Sequence, residues 1–393
     1  MNITHFFRRI SGLFIENETT LLRNDYQSIK NKINSFPEPL NDMDRALCQY
    51  ECTMKRMNAI QRLVMNAGSF VMYLPYYICF THNSVKQSDR KYDAVFYKDK
   101  ISIDIVPDSL RKEYPDILTL DIGITKEMSL DKSDKEFLKK VRKKKPCWFY
   151  FHLKVMMKLA MTSYCIRMYQ PKALISHFEE SFASSLMTGY CEGKGIKYIG
   201  VMHGERLYSL KLSFFRCTEY YAWDRTYVDL FCSMRCEKSQ FRVEVPNALQ
   251  LPEYKRKQDV KYDYTFYLQE ENEKHLKVLQ SVCHKLISHG MRITIRPHPR
   301  FSGFDFAKYF PETDIQWPQK VTLAESFSET KAVVARFSTT LYQAWFLGIP
   351  IVIDDCTLPK QFERLRDLRY VMLEKPHKLL SEILAQIDKE NNK

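Results

Sequence analysis

The run MRITIRPHPR, Met291 to Arg300, sets a histidine between two prolines and flanks the pair with arginines. A strand-like pattern stops there, because neither Pro297 nor Pro299 has an N–H for a ladder and both hold the backbone extended. The His298 imidazole then projects in one direction, with Arg296 and Arg300 beside it. Such a set suits an anion, above all a phosphate, and the plainer alternative is a turn carrying a surface histidine.

A second cluster lies about one βα unit further on. In KAVVARFSTTLYQAWFLG a buried strand is followed by Ser338, Thr339 and Thr340, which open a helix. One hydroxyl suffices to cap a helix. Three in a row, over free N–H groups and the positive end of the helix dipole, make a phosphate cradle. The run IPIVIDD ends in Asp354 and Asp355, acceptors for ribose hydroxyls or, equally, caps for the next helix. In the first half, ALISHF ends in Glu179 and Glu180, while KYIGVMHG ends in His203 and Gly204, followed by Glu205. A carboxylate and an imidazole at neighbouring strand ends are candidate bases for a hydroxyl. The alternatives are first-turn charge for the glutamates and a polar strand terminus for the histidine.

The elements that must position these residues alternate between strand and helix. After a helical, Lys/Arg-rich opening over residues 1–84, the runs DAVFY, ISIDIV, ALISHF, KYIGVMHG, EYYAW and FRVEV read as strands of a domain over 85–246. The stretch 247–261 has the proline and charge content of a linker. The strands TFYLQ, RITIRP, KAVVARF and IPIVIDD and their helices then form a second domain over 262–393. Alternation of this kind predicts parallel sheets covered by helices on both faces. The expected fold is α/β: two Rossmann-like, doubly wound domains facing a cleft, with a helical N-terminal extension. Ligands should lie at the carboxyl ends of the strands.

Taken together, RPHP with STTLYQAWFLGIPIVIDD, and ALISHFEES with GIKYIGVMHGE, resemble the GT-B glycosyltransferases of bacterial capsule and lipopolysaccharide assembly, over roughly residues 171–373. Among these the similarity is to CMP-sialic acid and CMP-Kdo transferases and, more distantly, to teichoic acid polyol-phosphate transferases. The resemblance implies a donor site in the second domain, with His298, Ser338 and Thr339 on the nucleotide phosphate; Arg296, Pro299 and Thr340 join them as donor-binding candidates, and Asp355 is the candidate for the ribose or base. His298 would help the nucleotide leave. It implies Glu180 or His203 as the base, with Glu179, Gly204 and Glu205 on the acceptor side. Family sialyltransferases carry an acidic pair followed by glycine, whereas Ser181 follows Glu180 here; the His203–Gly204 pair matches the polyol-phosphate enzymes. The implied activity is inverting transfer from a nucleotide-sugar donor, CMP-linked for preference, to a glycan or lipid-linked glycan. A CDP-alcohol polyol-phosphate transferase is the alternative. No cofactor is expected, and no metal, because cations and a helix dipole serve the leaving phosphate. The one DxD, Asp42 and Asp44, precedes a helix and reads as its cap.

The net charge of +13 favours an anionic partner, and binding to nucleic acid is the rival from another class. No basic, aromatic-interleaved module of the nucleic-acid-binding kind is present. The 11 cysteines are scattered without a CxxC pair, as in reduced, cytoplasmic proteins. The longest apolar run, Gly68 to Phe80, is too short for a span and is interrupted by Pro75, so no transmembrane helix is expected. Peripheral contact with the inner membrane is left open by the face Ile3, Phe6, Phe7, Ile10, Leu13 and Phe14, and by the basic run KKVRKKK, Lys139 to Lys145.

Overall fold

Runs such as AVFY and ALIS carry no polar face, so they can be strands only where helices cover both sides of a sheet. A computed structural model describes residues 25–391, apart from 86, 99, 100, 122, 124, 126, 301 and 302. The amphipathic face from Ile3 to Phe14 lies outside the described residues.

The first sheet is formed by β1 (Ala94–Tyr97), β2 (Ile117–Leu120), β3 (Ala173–Ser176), β4 (Lys197–Val201), β5 (Glu219–Ala222) and β6 (Phe241–Val243). Its order is β2-β1-β3-β4-β5-β6, and every pairing is parallel. The second sheet holds β7 (Tyr262–Tyr267), β8 (Ile293–Arg296), β9 (Asp314–Ile315), β10 (Thr330–Ala335), β11 (Ile351–Ile353) and β12 (Lys378–Leu379). Its order is β12-β11-β10-β7-β8-β9, again all parallel. Read from β7, the chain lays down two strands on one side and then crosses to the other, the doubly wound order of dinucleotide-binding sheets. The α/β fold and its two Rossmann-like sheets are those the alternation predicts.

Several local expectations give way to the structure. The run ISIDIV is a turn of 3-10 helix, Ile103–Ile105, because Ser102 Oγ accepts from Asp104 N at 3.2 Å while Ile105 and Val106 are buried on the sheet. The strand of that region is Ile117–Leu120 instead. The helix after ALISHF begins at Ser184, so neither Glu179 nor Glu180 sits in its first turn. Pro75 does not break its helix, which runs from Ala59 to His82.

Contacts divide the chain into two compact units, one over residues 31–204 and 210–251, the other over 205–209 and 252–391 with 25–30. The helical opening is therefore not a region apart beyond residue 30. In its helix Asp42–Met54, Asn41 caps by accepting from Asp44 N at 3.0 Å, and Asp42 pairs with Arg216 at 3.0 Å, which ties the segment to the first sheet's unit. The DxD aspartates are thus held by a cap and an ion pair. Asn66 of the helix Ala59–His82 accepts from Tyr150 N and donates to Cys147 O, 3.2 and 3.0 Å.

One buried carboxylate fixes the helices beside that sheet. Asp134 opens the helix Lys132–Lys144 in a capping box with Asp131, and it is fully buried. It accepts from Tyr190 Oη at 2.5 Å, Ser163 Oγ at 2.7 Å and Arg167 Nη1 at 3.2 Å. Arg167 belongs to the helix Phe149–Tyr169, so a single side chain joins the two helices. Removing one partner from such a cluster leaves a cation and two hydroxyls in a dry site. Asp134→Ala is expected to lower unfolding free energy by about 3–5 kcal/mol, measured by urea titration.

Candidate functional site

Where β8 and β10 leave β7 on opposite sides, the loops after the three strands part and leave a crevice. A cavity of about 400 Å³ occupies it, lined by Tyr267, Leu268 and Gln269 after β7, Arg296 to Pro299 after β8, and Phe337 to Thr340 after β10. Leu323, Gln343 and Glu205 complete the wall. Arg296, His298, Pro299, Ser338, Thr339 and Thr340 are therefore brought together, from two stretches about forty residues apart in sequence.

The chemistry of this cavity is cationic and donor-rich. Arg296 ends an apolar strand, is 7% exposed, and its Nη1 is buried with no hydrogen-bond partner among the described residues. Burial pulls its pKa below the usual arginine value, yet not to the point of neutrality, since guanidinium groups stay charged in proteins. A buried cation with an unused donor is costly unless an anion meets it. Opposite stands the helix Thr339–Phe346, with Ser338 as its N-cap accepting from Thr340 N at 3.2 Å, so three hydroxyl residues at the positive end of the helix line the cavity. Tyr370 Oη accepts from Ser338 N at 3.3 Å and steadies the cap.

His298 is half-buried, and its Nδ1 accepts from Arg300 N at 3.1 Å. The neutral ring must then carry its proton on Nε2, which makes it a donor. Burial, and next the Arg300 charge, hold its pKa below the ordinary histidine value, so the neutral donor is the form present at pH 7. Arg300 itself is exposed and acts on the ring through its backbone and charge, not as part of the wall. The wall behind is stiffened by Tyr267 Oη bonding Ser326 Oγ, which in turn donates to Gln316, both at 2.6 Å.

Two expectations are corrected. Asp355 does not line the cavity; its carboxylate takes Ser381 N at 2.9 Å and caps the last helix, while Asp354 takes Thr357 N at 2.9 Å. Glu205, expected on the acceptor side, is a buried residue of the second sheet's unit and is the one carboxylate lining this cavity.

The first sheet also has a switch point, between β1 and β3. His177 follows β3, is buried, and sits with its ring 4.7 Å from that of His203, which follows β4. Gly204 comes next, as the last residue of this part of the unit. Glu179 is buried, with its carbonyl accepting from Gln49 Nε2 at 2.8 Å, whereas Glu180 is more exposed and lies 3.8 Å from Lys211 Nζ. The structure thus pairs His203 with His177, whose signal in the sequence is its place at the end of the run ALISHF.

A larger cavity of about 780 Å³ lies at the ends of β7, β10 and β11. Its floor is a polar chain that sequence reasoning also missed. Glu271 accepts from Arg336 Nη2 at 2.7 Å and bonds His275 Nδ1; His275 Nε2 meets Thr357 Oγ1 at 2.9 Å, and Thr357 Oγ1 donates to Asp354. Burial alone would raise the Glu271 carboxyl, but His275 and Arg336 hold it below its ordinary value. The signal for this chain was an arginine inside the apolar run AVVARF.

No family model matches the chain, and no curated protein matches it. Among solved structures, the wall teichoic acid polymerase TagF is similar at 12% identity, with 88% of this chain and 90% of that chain covered and a TM-score of 0.45. The UDP-GlcNAc 2-epimerase of Neisseria meningitidis, bound to UDP-GlcNAc, is similar at 13% identity over 69% and 84%, with a TM-score of 0.43. The UDP-N-acetylglucosamine 2-epimerase of Rickettsia bellii follows at 9% over 67% and 78%, with a TM-score of 0.42. Likenesses this remote bear on neither substrate nor activity.

Two arginines at neighbouring strand ends should behave in opposite ways. Arg336→Met leaves the Glu271 charge buried without its cation and is expected to cost about 3–5 kcal/mol. Arg296→Met removes a cation that forms no ion pair among the described residues and feels only the more distant Glu325 charge, so the protein alone should keep or gain about 1 kcal/mol, while stabilisation by added phosphate disappears. Denaturant titration with and without phosphate checks both. Acid should act through Glu271: its folded pKa is depressed, so its contribution is complete above the ordinary value of 4.5 and is lost as pH falls through the lower folded value. Denaturation at steps from pH 7 to pH 3 should show that decline in the native chain and a smaller one in Glu271→Gln.

Proposed function

We propose that this chain is an inverting glycosyltransferase that moves a sugar from a CMP-activated donor to a surface-polysaccharide or lipopolysaccharide precursor. What carries the reading is the cavity at the second switch point, where the buried, unpaired Arg296 nitrogen, the Nε2–H of His298 and the hydroxyl-rich helix start meet around a space fit for a phosphate. In the reaction, an acceptor hydroxyl forms a bond to the anomeric carbon while the bond from that carbon to the phosphate oxygen breaks. The nucleotide departs with the electron pair. Arg296 and the positive end of the helix Thr339–Phe346, with its hydroxyl residues, take up the charge that grows on the phosphate, and His298 donates to the departing oxygen. These cations and dipoles do the work a metal does elsewhere, so transfer should not need one. The acceptor proton goes to a base, for which the sequence resemblance offers Glu180 or His203.

A CDP-polyol donor is the second reading, favoured by the His177–His203 pair at 4.7 Å beside Gly204, because the polyol-phosphate transferases that the sequence resembles carry a His-Gly pair there. In that case the acceptor attacks phosphorus and CMP leaves. Incubation with labelled CMP-sugars and CDP-glycerol separates the two, since transfer from CDP-glycerol alone removes the first.

The prior question is whether the cavity takes a nucleotide. CMP or CDP at about 100 times its dissociation constant should stabilise the fold by about 2.7 kcal/mol, seen as a rise in Tm. UDP and GDP should do less, and His298→Ala should lose most of the response at unchanged Tm of the empty protein. A response to UDP or GDP alone would replace the donor; tight, salt-sensitive binding of DNA or RNA with no nucleotide response would replace the function.

A further inference from the structure

The helix Ala59–His82 is apolar nearly all round, which in a soluble protein implies burial on every side. Only one side is buried. It packs along the helix Phe149–Tyr169, and in its most apolar stretch 11% of the residues are buried. Ile60, Leu63, Val64, Val71, Leu74 and Ile78 recur at the three- and four-residue spacing of one helix face, and they are 45–73% exposed. A stripe of bare branched side chains this long is not left on a protein surface without a covering partner.

The neighbouring helix says what the partner is. Lys132–Lys144 runs beside it, and between the two lies a groove of about 680 Å³ floored by Phe70, Tyr73, Tyr77, Leu138 and Phe149. Lys132, Lys135, Lys139 and Arg142 rim that groove, with Glu136 the one acid among the lining residues. The Arg142 guanidinium lies 5.8 Å from the Tyr73 ring centroid, over its face. Lys140, Lys143 and Lys144 extend the charge along the exposed side. An apolar floor under a basic rim is the pattern of a surface that meets acyl chains and anionic headgroups together. A protein partner would need a matching acidic rim around an apolar ridge; a bilayer of acidic phospholipid offers both everywhere.

We infer that this face docks the protein onto an anionic phospholipid bilayer, with the helix Ala59–His82 lying in the interface plane. It does not span: its inner face is committed to the helix Phe149–Tyr169, and Asn66 is bonded to the chain at Cys147 and Tyr150. The buried Asp134 anchor, joining the basic helix to the helix Phe149–Tyr169, keeps the lysine row in register with the apolar stripe.

The test is sedimentation of the full chain with vesicles of phosphatidylglycerol and phosphatidylcholine, against phosphatidylcholine alone. Binding to the first, at least tenfold weaker on the second, is expected. Leu63→Ser, Val71→Ser and Leu74→Ser combined should reduce it at least tenfold, and so should Lys135→Glu with Lys139→Glu; all five side chains are at least partly exposed, so both variants should fold, checked by circular dichroism. Equal binding of either folded variant, or of the chain to both vesicles, overturns the proposal. So does a dimer in solution that the triple variant converts to monomer, since a second copy would then be the cover. Release by alkaline carbonate is the result expected of an interfacial helix, and retention would mean a span instead.

Discussion

Parallel strands cannot be joined by a tight turn, and this constraint governs the rest of the molecule. Each strand must be followed by a crossover, the crossovers share one hand, and the chain can add strands on either side of the first only by reversing direction once. In the second sheet that reversal happens at β7, with β8 on one flank and β10 on the other. The loops there diverge because the crossovers lie on opposite faces, and the resulting gap is bounded by a strand end and a helix start. Arg296, His298 and Ser338 are neighbours in space for that reason and for no reason local to their own segments.

Much of this was legible in the residues. Short strand-like runs marked β1 and β3 to β6 of the first sheet and β7, β8, β10 and β11 of the second, and helices between them fixed the parallel class; β2, β9 and β12 went unmarked. Where a polar set followed such a run, as in RITIRPHPR and AVVARFSTT, the strand-end rule put it at the crevice. What sequence could not weigh was competition for the same side chain. Asp355 looks like any strand-end acceptor until Ser381, twenty-six residues on, is seen to need a cap. Glu205 follows a strand of the first sheet yet is clustered with the second, which no local pattern encodes.

Other features escaped because their signal was spread over distance. The chain Glu271, His275, Arg336, Thr357 and Asp354 draws on three separate segments, and each member alone passes for a surface polar residue or a cap. Pro75 interrupts the apolar run Gly68 to Phe80 in sequence, but it removes one hydrogen bond and does not end the helix Ala59–His82, which packs against the helix Phe149–Tyr169. The helix is longer than its most apolar run, and that length decides whether such a run can be core or must lie at a surface.

The unanswered nitrogen of Arg296 has a consequence beyond recognition. A group that is dry, charged and unsatisfied raises the free energy of the empty state without disturbing the filled one. Selection for tight packing alone would have replaced it with methionine. The same nitrogen that suits an anion would therefore couple binding to rigidity: the loops after β7, β8 and β10, which line one cavity, should tighten together when it is met.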